Sequence, residues 1–207
     1  MTALVRCTSM TNFAEVAGQY GLDYRSLLAE VGLPLRCLDE PDLKVATSKV
    51  ARLLELAAER AHEPAFGLRM AESRRLSNLG PLGLLVRDEP TLRSTLEALG
   101  RHIHLQNEAL VLYVEESGNL VVIRQEMVAE GSGSLRQANE LALAGAFRVL
   151  GIFLGAGWHP RLVCFSHRAP PSLAVHHRIF GNVVEFGHEF NGIVCNAVDL
   201  DAPNPGA

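Results

Sequence analysis

Residues 134–154, SLRQANELALAGAFRVLGIFL, read as one long helix that is apolar on two sides. Ala138, Leu141, Ala142, Gly145, Val149, Ile152 and Phe153 recur at helical spacing on one face, and Leu143, Phe147 and Leu150 make a second. A surface helix needs only one apolar stripe. A helix apolar on two sides must be covered on both, so this one is expected to be the central helix of its domain. Ser134, with Gln137 three residues on, gives a capping-box start, and Gly155 and Gly157 give a stop.

What surrounds this helix is a mixture of strands and helices. Before it, Asn107 to Glu115 and Leu120 to Val128 read as a β-hairpin turning at Gly118-Asn119. Leu110, Leu112 and Val114 alternate with Val111 and Tyr113, so both faces are apolar enough to call for helical cover. After it come a strand at 161–165, a helix opened by Pro170-Pro171 over 172–179, and strands at 183–186 and 192–196. Residues 187–191 are expected to join those last two strands as a hairpin connection.

The first third is helical. Residues 1–10 show no pattern and are expected to be loose. Thr11 is placed to cap a short helix ended by Gly21, and Asp23 caps a second over 24–31. Ala17, Gly21, Leu22 and Leu27 approach a helix-turn-helix spacing, but Tyr24, Arg25, Ser26 and Glu30 offer a single base-reading cation beside two carboxylates. A structural helical hairpin is the better reading. Val45 to Ala61 is amphipathic, 65–73 forms a short helix, and Thr91 caps a helix with Leu92, Leu96, Leu99 and Ile103 inward. Leu79 to Val86, with glycines at 80 and 83, lacks the spacing of a phosphate loop and reads as close packing of a loop and a short helix.

The fold class that follows is α+β. N-terminal helices precede an antiparallel sheet, made of the hairpin 107–128 and strands near 161–165, 183–186 and 192–196, packed on the central helix 134–154. One domain is expected over 1–198, mainly helical to residue 75 and α+β over 76–198, with 199–207 as linker.

Composition narrows the function classes. The chain has 207 residues and is 48% hydrophobic, enough to bury a sizeable core. A net charge of −4 gives no basic surplus to hold a phosphate backbone. Cys7, Cys37, Cys164 and Cys195 form no C-x-x-C pair and are expected to be reduced thiols. No apolar run is long enough to span a bilayer and no secretion signal opens the chain, so a cytoplasmic protein is expected.

No catalytic constellation is visible. His102 and His104 lie on opposite sides of a helix, Ser166-His167 lacks a nucleophile elbow, and Cys164 belongs to a strand. No metal, cofactor or enzyme activity is expected. A small-molecule pocket is better supported. Tyr113, Phe147, Phe165, Phe180, Phe186 and Phe190 are placed to line an apolar cavity, with Arg101, His104, Asn107, Glu140 and His167 to orient a ligand. The competing reading is that these aromatics fill the core.

Five stretches carry a family resemblance. They are GLDYRSLLAEVGLP (21–34), AFGLRMAESRRLSNLGPLGLLVRDEPTLRSTLEALGRHIHLQNEALVLYVEE (65–116), RQANELALA (136–144), LGAGWHPRLVCFSHRAPPS (154–172) and FGNVVEFGHEFNGIVCNAVDLDAPNP (180–205). The chain resembles the arabinose-binding-type N-terminal regulatory domain of AraC-family transcription regulators. The resemblance implies a domain that senses a small effector or forms a homodimer, and so controls a helix-turn-helix unit expected beyond Ala207. DNA contact is expected only through that unit. Nothing in the residues selects arabinose as the ligand. The alternative is a dimerisation module without a ligand, and a small enzyme has the least support.

Overall fold

The long helix is buried on two sides, as its two apolar faces require. The structure is a computed structural model that describes residues 2–72, 81–128 and 133–205. In chain order it contains β1 (Leu4–Arg6), α1 (Phe13–Gln19), α2 (Tyr24–Glu30), β2 (Lys44–Ala46), α3 (Thr47–Arg60), α4 (Phe66–Glu72), α5 (Pro81–Asp88), α6 (Leu92–His102), β3 (Leu110–Ser117), β4 (Leu120–Met127), α7 (Arg136–Leu154), β5 (Leu162–Phe165), α8 (Ala174–Phe180), β6 (Val184–Phe186) and β7 (Asn191–Asn196). The fold is α+β, with the N-terminal helices and the sheet both packed on α7.

Helix α7 starts differently from the capping-box expectation. Ser134 Oγ accepts only a long hydrogen bond from the Arg136 amide, 3.3 Å, and Gln137 does not reach back. Its side chain crosses to α4 instead. Gln137 Oε1 accepts from the Gly67 amide at 2.8 Å, and Nε2 donates to the Pro64 carbonyl at 2.9 Å. The Gln137 amide is capped by Glu55 of α3 at 2.9 Å. Helix starts carry unpaired donors, and here neighbouring helices supply the acceptor. The joint depends on Gly67, because a Cβ there would sit 2.3 Å from the Gln137 carbonyl oxygen.

The five-stranded sheet has the order β3-β4-β7-β5-β6. Strands β3 and β4 form the expected hairpin, Ser117 facing Leu120, with Gly118 at φ 63° in the turn. The expected hairpin connection at 187–191 is not formed. Strand β5 lies between β6 and β7, and β6 runs parallel to it. The reason lies in α8, since strand–helix–strand is the connection that parallel neighbours require. The sheet is also covered less than expected. Leu112, Val121, Ile123, Gln125, Ile193 and Phe165 are buried on the helical side. The opposite face carries Arg124 paired with Glu126, and Tyr113 at 47% exposure.

Residues 4–10 are ordered rather than loose. β1 pairs antiparallel with β2, and a 3-10 turn over Cys7–Met10 buries Cys7 and Met10. Strands of three residues are too short to show alternation in sequence. Thr11 does not cap α1, whose cap is Asn12 in the left-handed conformation, whereas Asp23 caps α2 by accepting from the Arg25 amide at 3.0 Å. Thr91 caps α6 in a box with Ser94. Pro81–Asp88 is helical, and Leu79-Gly80 lie outside the described residues. All four cysteines are free and buried. Burial pushes the thiols of Cys7 and Cys195 up to about 12 and that of Cys164 to about 11, which leaves them unreactive.

Replacing Gly67 with Ala must part α4 from α7. The expected loss is about 2–3 kcal/mol in urea unfolding. A change within about 0.5 kcal/mol, the usual range for a neutral substitution, would contradict this account of the joint.

Candidate functional site

The two sides of α7 are filled differently. On one, small residues (Ala138, Ala142, Gly145 and Ala146) face α3, α6 and the β3–β4 hairpin across an apolar cavity of about 120 Å³. Val50, Ala51 and Leu54 of α3, Leu99 and Ile103 at the end of α6, and Leu112 and Met127 of the hairpin close it. The rim is half-buried at Ile103, Leu110, Met127, Ala142, Gly145 and Ala146, and that is where the cavity meets solvent.

The polar groups in the lining are Ser9, Thr47, Gln106, Asn107 and Gln125. Thr47, the first residue of α3, donates to Asn107 Oδ1 at 3.2 Å, and the same oxygen accepts from the Ala109 amide at 3.0 Å. Asn107 thus fixes the turn leading from α6 into β3. Gln125 shares the inner face of β4 with Val121 and Ile123, because side chains two apart on a strand point the same way.

On the other side of α7, aromatic rings fill the space. Phe165 stacks on Phe186 at 5.5 Å and meets Phe180 and His176 edge-on at 5.8 and 5.7 Å. Phe147 meets Phe180 at 5.2 Å. Glu140 lies in this packing, fully buried. Its Oε1 receives His176 Nε2 at 3.0 Å and Arg136 Nε at 3.3 Å. His167 Nε2 lies 3.1 Å from the same oxygen, off the hydrogen-bond axis. Burial alone would raise the carboxyl's pKa. The contacts with His167 and His176 and the charge of Arg136 outweigh it and bring the carboxyl down to about 2.

The residues singled out from sequence therefore separate. Glu140, Phe147, Phe165, His167, Phe180 and Phe186 converge in one packed cluster. Asn107 lines the cavity. Arg101 and His104 are exposed at the end of α6. Tyr113 and Phe190 lie on the outer side of the sheet, where Phe190 sits under the Arg124 guanidinium at 5.4 Å and against Gly192. Gln106 and Gln125 were not singled out. The available signal was a polar residue at the inward position of β4, between Ile123 and Met127. Among the described residues no group of three or more His, Cys, Asp or Glu side chains is arranged to hold a metal ion, and no helix is long and apolar enough to cross a membrane.

The chain is thus built on a two-sided helix, with N-terminal helices and a mixed sheet packed on it and an apolar cavity beside it. Residues 21–204 match the arabinose-binding domain of AraC transcription regulators, N-terminal, and the chain belongs to that family. It is 28% identical over 192 residues to the HTH-type transcriptional regulator VirS of Mycobacterium tuberculosis, in strains CDC 1551 and H37Rv. The match takes in 92% of this chain and 56% of the relative, so the chain spans about half the length of the curated relatives it matches. The fold is also that of the transcriptional regulator CdpR from Pseudomonas aeruginosa, with a TM-score of 0.62 at 18% identity, over 89% of this chain and 56% of that one.

Glu140 generates a prediction. Its carboxyl has a lower pKa in the folded protein than the ordinary 4.5, so its stabilising effect is complete above that value and is lost as pH falls toward about 2. Glu140→Gln is expected to cost about 3 kcal/mol at pH 7, because the partly buried Arg136 guanidinium and the buried His176 ring lose their carboxylate partner. In urea unfolding the gap between the two proteins should close between pH 4.5 and about 2. A gap constant over that window would show that the charge contributes nothing.

Proposed function

We propose that this domain senses a small effector in the cavity beside α7 and passes its occupancy to a DNA-binding unit of the helix-turn-helix class. The observation that carries the reading is that one helix touches both the cavity and residues 201–204. The end of α6 gives Leu99 and Ile103 to the lining. At its start, the Leu92 amide donates to the Ala202 carbonyl at 3.0 Å. Asn204 secures the same corner: its Nδ2 donates to the carbonyls of Arg87 and Glu89 at 2.9 and 2.7 Å, and its amide donates to Pro90 at 2.9 Å. Arg93 lies 3.6 Å from Asp201 and also pairs with Glu116 of the hairpin. A ligand that prefers one position of α6 would bias the position of residues 201–204. A tenfold preference supplies about 1.4 kcal/mol of coupling.

Membership of the AraC family supports a homodimer as the working unit, with DNA contacted through a separate domain. The similarity to VirS, an HTH-type transcriptional regulator, fits that arrangement.

The test fills the cavity. Ala142→Leu places a larger side chain at the rim and is expected to stabilise the free domain by about 1 kcal/mol. In a thermal-shift screen with size measured alongside, an effector at 100 times its dissociation constant should add about 2.7 kcal/mol to the natural sequence. The same compound should add nothing to Ala142→Leu. A response that survives the substitution would place the effector elsewhere. A stable dimer with no response to any compound would favour a dimerisation module.

A further inference from the structure

The cavity lining contains no charged side chain and five polar ones. Asn107 and Thr47 are already bonded to each other and to the Ala109 amide. Gln106 and Gln125 differ. They are 9% and 2% exposed, and Gln106 Oε1 and Gln125 Nε2 have no hydrogen-bond partner among the described residues. The oxygen and nitrogen of an amide are told apart only by their surroundings. Either way, each side chain brings a buried amide end with spare capacity to one apolar space. Leaving such a group unpaired costs about 1–3 kcal/mol, so two of them mark where a polar group belongs.

We propose that the effector is a small uncharged molecule, an apolar body carrying a single hydroxyl or carboxamide that pairs with Gln106 and Gln125. This rests on the reading of the cavity as the effector site. The size follows from the volume: an engineered cavity of about 150 Å³ takes benzene, so the cavity of about 120 Å³ here takes a body of about five or six non-hydrogen atoms, with about one or two more at the half-buried rim. A hydroxyl both donates and accepts, so it can pair with a spare oxygen and a spare nitrogen, and a carboxamide, with two donors and an oxygen, can meet the two ends whichever way each amide is turned. A carboxylate, ammonium or phosphate would enter a lining with no counter-charge, and an unpaired buried ion costs several kcal/mol. A sugar would bring several hydroxyls to a wall with two spare amide ends and lose the hydration of the rest. A hydrocarbon would fill the volume and leave both amides unpaired.

The experiment is an NMR titration of the 207-residue chain with benzyl alcohol, toluene, benzoate and arabinose, each added separately. Benzyl alcohol is expected to shift the side-chain amide signals of Gln106 and Gln125. Toluene partitions from water more readily, so the decisive quantity is a ratio. The affinity for benzyl alcohol relative to toluene should fall at least tenfold in Gln125→Leu, with Gln106→Leu as the second variant if the first does not fold. An unchanged ratio in a folded variant would overturn the proposal and leave the cavity as the site. So would benzoate or arabinose as the tighter ligand with shifts at the same residues. If none of the four compounds perturbs the residues of the cavity, both the proposal and the cavity reading fall.

Discussion

The structure depends on the joint at the N-terminus of α7. Gln137 holds Gly67 and Pro64 with the two ends of its amide, and its backbone N–H is held by Glu55. Arg136 adds a 2.6 Å bond to the same Pro64 carbonyl. Three helices are thereby fixed around one peptide, and the absence of a side chain at Gly67 lets the backbones approach. Every one of these bonds is buried or partly buried, where an unpaired polar group is costly. The joint is therefore specific: helices α3 and α4 have one seat on α7.

With those helices fixed, the space on either side of α7 is set by side-chain size. Toward α8 and β5, large rings and a buried carboxylate fill the volume, and Glu140 ties the helix to His176. Toward α3 and the hairpin, alanines and a glycine leave a gap that the backbone cannot close, because the joint and the sheet hold its walls apart. Packed interiors rarely keep a void without compensation. Here the void lies beside α6, the helix whose first turn holds residues 201–204. It is through α6 that a ligand in the void would act on residues 201–204 in the coupling we propose.

Much of the fold was legible in the sequence because it is local. The two faces of α7 follow from 3.6-residue spacing, the caps at Asp23 and Thr91 from residue type, and the β3–β4 hairpin from Gly118-Asn119. The misreadings came from contacts distant in sequence. Ser134 and Gln137 have capping-box spacing, but the partners of Gln137 lie about seventy residues upstream. The insertion of β5 between β6 and β7 was readable in principle, since α8 separates β5 from β6 and a helical crossover favours parallel neighbours. The site was harder. Aromatic residues draw attention as pocket formers, yet six of the eleven candidate residues gather in one tightly packed cluster. The cavity instead follows from small residues at 138, 142, 145 and 146, whose significance depends on what stands opposite them.

Xenon tests the central claim most directly, because it enters apolar voids without needing a hydrogen bond. Under xenon pressure, the methyl signals of Leu54, Leu99 and Val149, which line the cavity, should shift. Those of Val163 and Ile193, buried elsewhere in the sheet, should stay in place. Shifts confined to Val163 and Ile193, or none at Leu54, Leu99 and Val149, would contradict the account that α7 keeps an accessible space on its small-residue side.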